Sequence, residues 1–152
     1  MKKYKLPKEF AEKWLTALRS GDYEQGNEHL LSYEEVDEFT VNYNKKSYCC
    51  LGVACSLTEV SEALYSGMSF VSDTYGYEQI EIMAAGYPVE IAGESGFPEI
   101  LAKFNDGTTI AQYHLEFEFL NLKFRKEPKL GEVYQLTFPE IADFIEDNVE
   151  FY

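Results

Sequence analysis

Apolar positions recur as Phe10, Ala11, Trp14, Leu15 and Leu18, the spacing of one helical face, and predict a helix over residues 7–19. Pro7 suits its first turn and Gly21 ends it. Residues 20–47 are polar, with Gly21, Gly26, Asn27, Asn42 and Asn44 as turn-formers. Within them Phe39, Val41 and Tyr43 alternate, which predicts a short extended piece at about 38–43. Helical spacing returns after Tyr48. Cys50, Val53, Ala54, Leu57, Val60, Ser61 and Leu64 share one face, flanked by Leu51 and Cys55, so a helix is expected over about 48–65. Gly52 lies inside it at a cost of ~1 kcal/mol against alanine. A glycine there marks the close approach of another element.

Residues 67–92 are rich in Gly, Ser, Tyr and Ile and suit strands or extended loop. Phe97 to Phe104 read as a short helix closed by Asn105-Asp106-Gly107. Over 109–125, Tyr113, Leu115, Phe117 and Phe119 alternate with polar residues. The phase then flips to Leu120, Leu122 and Phe124, which suggests a bulge or a crossing between environments. Pro128 to Gly131 read as a turn, and Val133–Leu136 as a hairpin partner. Thr137 and Glu140 are spaced as a capping box ahead of a last helix with Phe138, Ile141, Ala142, Ile145 and Val149 on one face. The expected fold is therefore a single α+β domain over 1–152. Three or four helices pack on a small antiparallel sheet built from 67–92 and 109–136, with an inserted β-hairpin at about 109–136. The apolar strand 113–124 exceeds what a small helix set can cover, which leaves room for a homodimer.

A chain of 152 residues can bury a core without disulfides or metals. No apolar run approaches the ~20 residues of a membrane span. No apolar stretch follows Met-Lys-Lys-Tyr-Lys-Leu-Pro, so a reducing cytoplasmic setting is expected. The net charge is −14, and no Lys or Arg lies between Lys46 and Lys103. That balance disfavours direct binding to nucleic acid or to an anionic membrane. It suits either a plain acidic protein or a surface that imitates nucleic acid before a basic partner.

All three cysteines fall within Cys49–Cys55. Cys49 and Cys50 near a helix N-terminus, with His29 or His114 approaching, would suit a nucleophile. The neighbours Leu51, Val53, Ala54 and Leu57 favour core packing instead. Zinc is disfavoured, because the usual paired ligand spacing is missing. Neither a metal nor a cofactor is expected. The loop Arg19 to Gly26 sets a guanidinium, a phenol and an amide close together. Arg19 would clamp an anion, Tyr23 would stack on a base and Gln25 would read its edge. The plainer reading is a helix end docking on the cysteine helix. Lys123, Arg125, Lys126 and Lys129 either blunt an edge strand or form an anion-binding lip. No carboxylate pair stands out among the 27 acids, and no catalytic residue is assigned.

Three blocks resemble a family of small proteins found mainly in bacteriophage genomes, with members in bacterial chromosomes. Trp14 to Gly26 resembles W-x-x-A-L-R-S-G-x-Y-x-Q-G, and Tyr48 to Cys55 resembles Y-C-C-L-G-V-x-C. Leu101 to Gly107 with Phe138 to Glu146 is similar to L-x-x-x-N-D-G … F-x-E-I-A-D-[WF]-I-E. The chain departs from that pattern at 108–136, where shorter members run almost directly into the last helix. The resemblance implies a phage accessory protein, a class rich in agents against bacterial defence. The expected function is stoichiometric capture of a small nucleotide-derived immune signal through Arg19, Tyr23, Gln25, Lys123 and Arg125. The alternatives are an acidic inhibitor docking on a basic host defence protein, and a cysteine-dependent enzyme.

Overall fold

The computed structural model describes residues 4–58, 61–67, 97–109, 121–127, 129 and 131–152. Helix α1 (Lys8–Ser20) forms where the periodicity predicts it. Ala11, Trp14, Leu15 and Leu18 are its buried face, and Gly21 closes it at φ +79°. Pro7 stands just ahead of the helix, with ψ 129°, and its carbonyl accepts the first helical bond from Ala11 N–H.

The extended elements are β1 (Tyr4–Leu6), β2 (Leu31–Asp37), β3 (Thr40–Tyr48), β4 (Thr108–Thr109), β5 (Val133–Tyr134) and β6 (Val149–Phe151). They pair as three two-stranded ladders. β1 runs parallel to β6 with Tyr4 opposite Val149, β2 is antiparallel to β3, and β4 is antiparallel to β5. The class is α+β, and the described residues hold an antiparallel hairpin at 31–48, where only a short extended piece at about 38–43 was expected. The loop between its strands is Glu38-Phe39, which lacks the Asn-Gly or Asp-Gly signal of a tight hairpin. The side chain of Asp37 closes it by accepting from Phe39 N–H at 2.8 Å. Of the sheet expected from 67–92, all but residue 67 lies outside the described residues. So does most of the strand over 109–125. Of the described part, Thr109 belongs to β4, which pairs with β5, whereas residues 121–125 are not strand, and Asn121 adopts φ +53° next to the flip of the hydrophobic phase.

The cysteine helix is shorter than 48–65. It splits into α2 (Cys50–Ser56) and the one-turn α3 (Glu62–Tyr65). Ser56 and Thr58 hydroxyls turn back to the carbonyls of Val53 and Cys55, a local bonding that competes with helix continuation. Helix α4 (Phe97–Asp106) ends at Gly107, φ +100°. The last helix, α5 (Phe138–Asn148), starts on the expected capping box, Thr137 with Glu140. It stops before Val149, which joins β6 instead of the helical face.

α1 and α2 pack together, α1 also meets α5, and α2 meets α4. Trp14 is fully buried, and its indole N–H donates to the Cys50 carbonyl at 3.0 Å. Leu30 crosses α2 at Gly52 so closely that a Cβ built there would meet the Leu30 carbonyl oxygen at 1.6 Å. The close approach read from Gly52 is therefore real, and its partner is the start of the β2–β3 hairpin. A second aromatic group, Phe104, Phe124, Tyr134 and Phe144, fills the space between α4, α5 and the β4–β5 base with edge-on rings.

Candidate functional site: the hairpin and the hollow at its base

The β2–β3 hairpin is anchored at one end only. Leu31 and Tyr48, paired across its base, are buried, whereas exposure dominates from Glu34 to Lys45. Phe39 at the tip is 94% exposed, Val36 60% and Tyr43 66%, with Val41 also exposed. Residues 34–41 hold four carboxylates, Glu34, Glu35, Asp37 and Glu38, and no base. These exposed apolar side chains stand among the acids, of which Glu34 meets Lys45 across the hairpin at 3.8 Å.

The register jumps between Tyr33↔Lys46 and Glu34↔Asn42, leaving Tyr43, Asn44 and Lys45 unpaired as a bulge. Asn42 stabilises it by accepting from Asn44 N–H at 3.0 Å. A bulge of this kind re-aims side chains. Here Tyr43 and Asn44, with Lys46 and Tyr48, form one wall of a hollow of about 380 Å³. Asp22, Tyr23 and Glu24 form the other. Backbone bonds hold the two walls together: Gly26 N–H donates to Tyr48 O at 2.7 Å, and Tyr48 N–H to Glu24 O at 2.8 Å. The rings of Tyr23 and Tyr48 meet edge-on at 5.1 Å, and those of Tyr33 and Tyr43 at 5.0 Å. Lys46 pairs with Glu62 at 2.8 Å, and Tyr33 O–H donates to the same carboxylate. That contact raises the Lys46 ammonium and lowers the Glu62 carboxyl from their ordinary values. Burial raises the Tyr48 phenol. A wider groove of about 530 Å³ along α1 shares Asp22 and Tyr23 with the hollow.

The five residues expected to bind a ligand divide four ways. Tyr23 lines the hollow, and its hydroxyl lies 3.1 Å from that of Ser56. Gln25 is built into the interior. Its amide donates to Asn105 Oδ1 and Leu136 O and accepts from Phe138 N–H. Arg19 and Arg125 converge on α5, where both bind Asp143 and Glu146, and Arg125 also takes Asp147 with two bonds. These carboxylates raise both guanidinium groups. The backbone of Lys123 is clamped by buried Asn148 from both sides, while its side chain is exposed. Arg19, Gln25 and Arg125 thus fasten the molecule, and Tyr23 alone of the five borders the hollow.

Asn105 is the residue that sequence reasoning passed over. It is fully buried. Its Oδ1 accepts from Cys50 N–H at 3.1 Å and from Gln25 at 3.0 Å. Its amide donates to Gly26 O at 2.7 Å and to Asp106 at 3.0 Å. A backbone donor and a backbone acceptor fix its orientation. The three motif blocks thereby meet at one side chain, which accounts for Gln25-Gly26, Cys49-Cys50 and Asn105-Asp106 by architecture. The family model for a domain of unknown function, DUF8296, matches residues 6–149. The chain belongs to the DUF8296 family. Neither a curated protein nor a solved structure matches it.

In this DUF8296 chain all three cysteines are free and buried. Burial pushes Cys49 up to about 12 and raises Cys50 and Cys55 as well. At pH 7 Cys49 is therefore held as the neutral thiol, far from the activated state a nucleophile needs. Cys49 instead caps α2, its sulfur accepting from Gly52 N–H at 3.4 Å. Among the described residues no cluster of His, Cys, Asp and Glu could hold a metal ion. Among the same residues no helix is long and apolar enough to cross a membrane.

Proposed function

We propose that this DUF8296 chain is a phage-type accessory protein of the host cytoplasm that counteracts bacterial defence by stoichiometric binding. Its target is a basic surface on a defence protein. One observation carries the reading: the hairpin thrusts Val36, Phe39 and Val41 into solvent amid Glu34, Glu35, Asp37 and Glu38. A nuclease or another nucleic-acid-handling protein offers the complementary surface, a basic face with apolar clefts. Burying Phe39 would supply about 1.5–3 kcal/mol, the size of an interface anchor. The acids would steer encounter and make it salt-dependent.

Capture of a small nucleotide-derived signal is the second reading. Tyr23 would offer a stacking face and Lys46 a cation. Lys46 is already paired with Glu62, however, and Asp22 and Glu24 rim the same hollow, so a phosphate there meets more negative than positive charge.

Immobilised protein and its Phe39→Asp variant, exposed to extracts of bacteria carrying nuclease-type defences over a salt series, separate the two readings. One basic protein retained near one-to-one, released by salt and lost with Phe39→Asp, supports the first. Equal retention by the variant refutes the hairpin. A discrete nucleotide released on denaturation, found by mass spectrometry, establishes the second reading instead.

A further inference from the structure

We propose that the hollow at the hairpin base is a receptor for a guanidinium group, an arginine side chain of the basic partner. The inference rests on the docking reading above and adds which partner side chain is selected and where. Three tyrosines, Tyr23, Tyr43 and Tyr48, line the hollow together with the carboxylates of Asp22 and Glu24. The cation within it, Lys46, has its charge matched by Glu62 at 2.8 Å, so among the described residues no cation pairs with Asp22 or Glu24. Tyrosine faces attract cations, and a flat guanidinium stacks on a ring while its N–H fork reaches carboxylates. An ammonium, compact and more strongly hydrated, gains less from the same walls.

The construction is specific. The 43–45 bulge brings Tyr43 and Asn44 to one wall, and the ladder contact between Gln25 and Tyr48 fixes the other against it. Tyr43 is also part of the exposed apolar surface of the hairpin. An arginine seated here would therefore lie beside an apolar contact made by Val41 and Phe39, within one continuous footprint.

The test uses N-acetyl-arginine amide as the probe, titrated into the full chain while backbone amide chemical shifts are followed. The expected result is saturable shifts confined to residues 22–24 and 43–48. Affinity should fall about tenfold, near 1.4 kcal/mol, both with N-acetyl-lysine amide and in Tyr43→Ala. The double variant Asp22→Asn, Glu24→Gln should abolish binding, and both carboxylates are exposed enough to be replaced without unfolding the chain. Absence of shifts in the hollow, or equal response to the lysine probe, overturns the assignment. Phe39→Asp lies outside the hollow lining and should retain the probe. Docking and arginine recognition therefore fail on different variants.

Discussion

Replacing Gly52 with alanine sets two effects against each other, and the structure says which wins. In a helix interior the change favours folding by ~1 kcal/mol, because alanine loses less backbone freedom. Against it, the new methyl carbon would sit 1.6 Å from the carbonyl oxygen of Leu30, 2.5 Å from its carbonyl carbon and 3.0 Å from its Cα. All three are backbone atoms, so no side-chain rotation relieves the overlap. Relief requires moving α2 away from the first residues of the hairpin by roughly the missing contact distance, about 1.5–2 Å, in a close-packed interior. That displacement would strain the Trp14–Cys50 bond and the Asn105–Cys50 bond, both made to the first residue of α2. Overpacking of this kind costs about 1–3 kcal/mol before any hydrogen bond is lost, so a net destabilisation of about 3 kcal/mol or more is expected. Urea unfolding followed by circular dichroism measures it as a lower midpoint. Gly21→Ala is the control. There no atom lies within 4 Å, and only the φ of +79° opposes a side chain. Its loss should stay near about 1 kcal/mol. A Gly52→Ala protein as stable as the parent, or more so, would refute the claim that Leu30 and α2 touch backbone to backbone.

The remaining predictions concern the hub, the acid–arginine cluster and the thiols. Asn105→Ala strands Cys50 N–H, Gly26 O and the Gln25 amide, and should lower stability by about 3–5 kcal/mol in urea unfolding. Asn105→Asp should rescue little, because an oxygen would then face the Gly26 carbonyl. Arg19→Ala removes a half-exposed ion pair whose acids also bind Arg125, so the melting temperature should reflect at most about 1 kcal/mol. Partner capture should persist in it, and loss of capture in that still-folded variant would return Arg19 to the binding site. The thiols predict alkaline instability. Burial holds their folded values above the ordinary 9.0, so the stabilisation is complete below pH 9 and is lost as pH rises from there, for Cys49 towards about 12. Each thiol contributes a slope of about 1.4 kcal/mol per pH unit in that window. Unfolding midpoints measured from pH 7 to the alkaline limit should fall less steeply in Cys55→Ala, and an unchanged slope would show that Cys55 does not titrate on unfolding.

The elements most legible in the sequence were those whose signal is local. α1, α4 and α5 follow from helical spacing, and the Thr137–Glu140 box marks the start of α5 to the residue. Gly52 was readable because glycine weakens an apolar helix, and close backbone contact is the usual physical reason for its presence there. The hairpin was half-legible. The alternation of Phe39, Val41 and Tyr43 announced β3, but Glu38-Phe39 carries no turn signal and the bulge breaks the period that would have extended it. The β1–β6 ladder left no local trace, since three-residue strands have too short a pattern and the two partners are far apart in sequence. The binding residues were harder still. Arg19 and Gln25 have the chemistry of ligand contacts, and only tertiary placement shows them bonded to Asp143, Glu146, Asn105 and Phe138. An asparagine in a turn-like Asn-Asp-Gly reads as a helix stop, so nothing local distinguishes Asn105 as a four-bond centre.

The parallel ladder between β1 and β6 has a consequence for biosynthesis. Tyr4 cannot find Val149, nor Lys8 the Tyr152 carbonyl, until residues 149–152 have left the ribosome. The apolar stripe of α1 waits as well, because α5 is among its partners and is also made late. A nascent chain therefore carries α1 without its α5 cover until residues 138–148 have emerged, and the β1–β6 ladder can close only after residues 149–151 follow. A ribosome stalled before α5 would hold α1 without that cover, and the pairing of residues 4–8 waits for residues 149–152 to emerge.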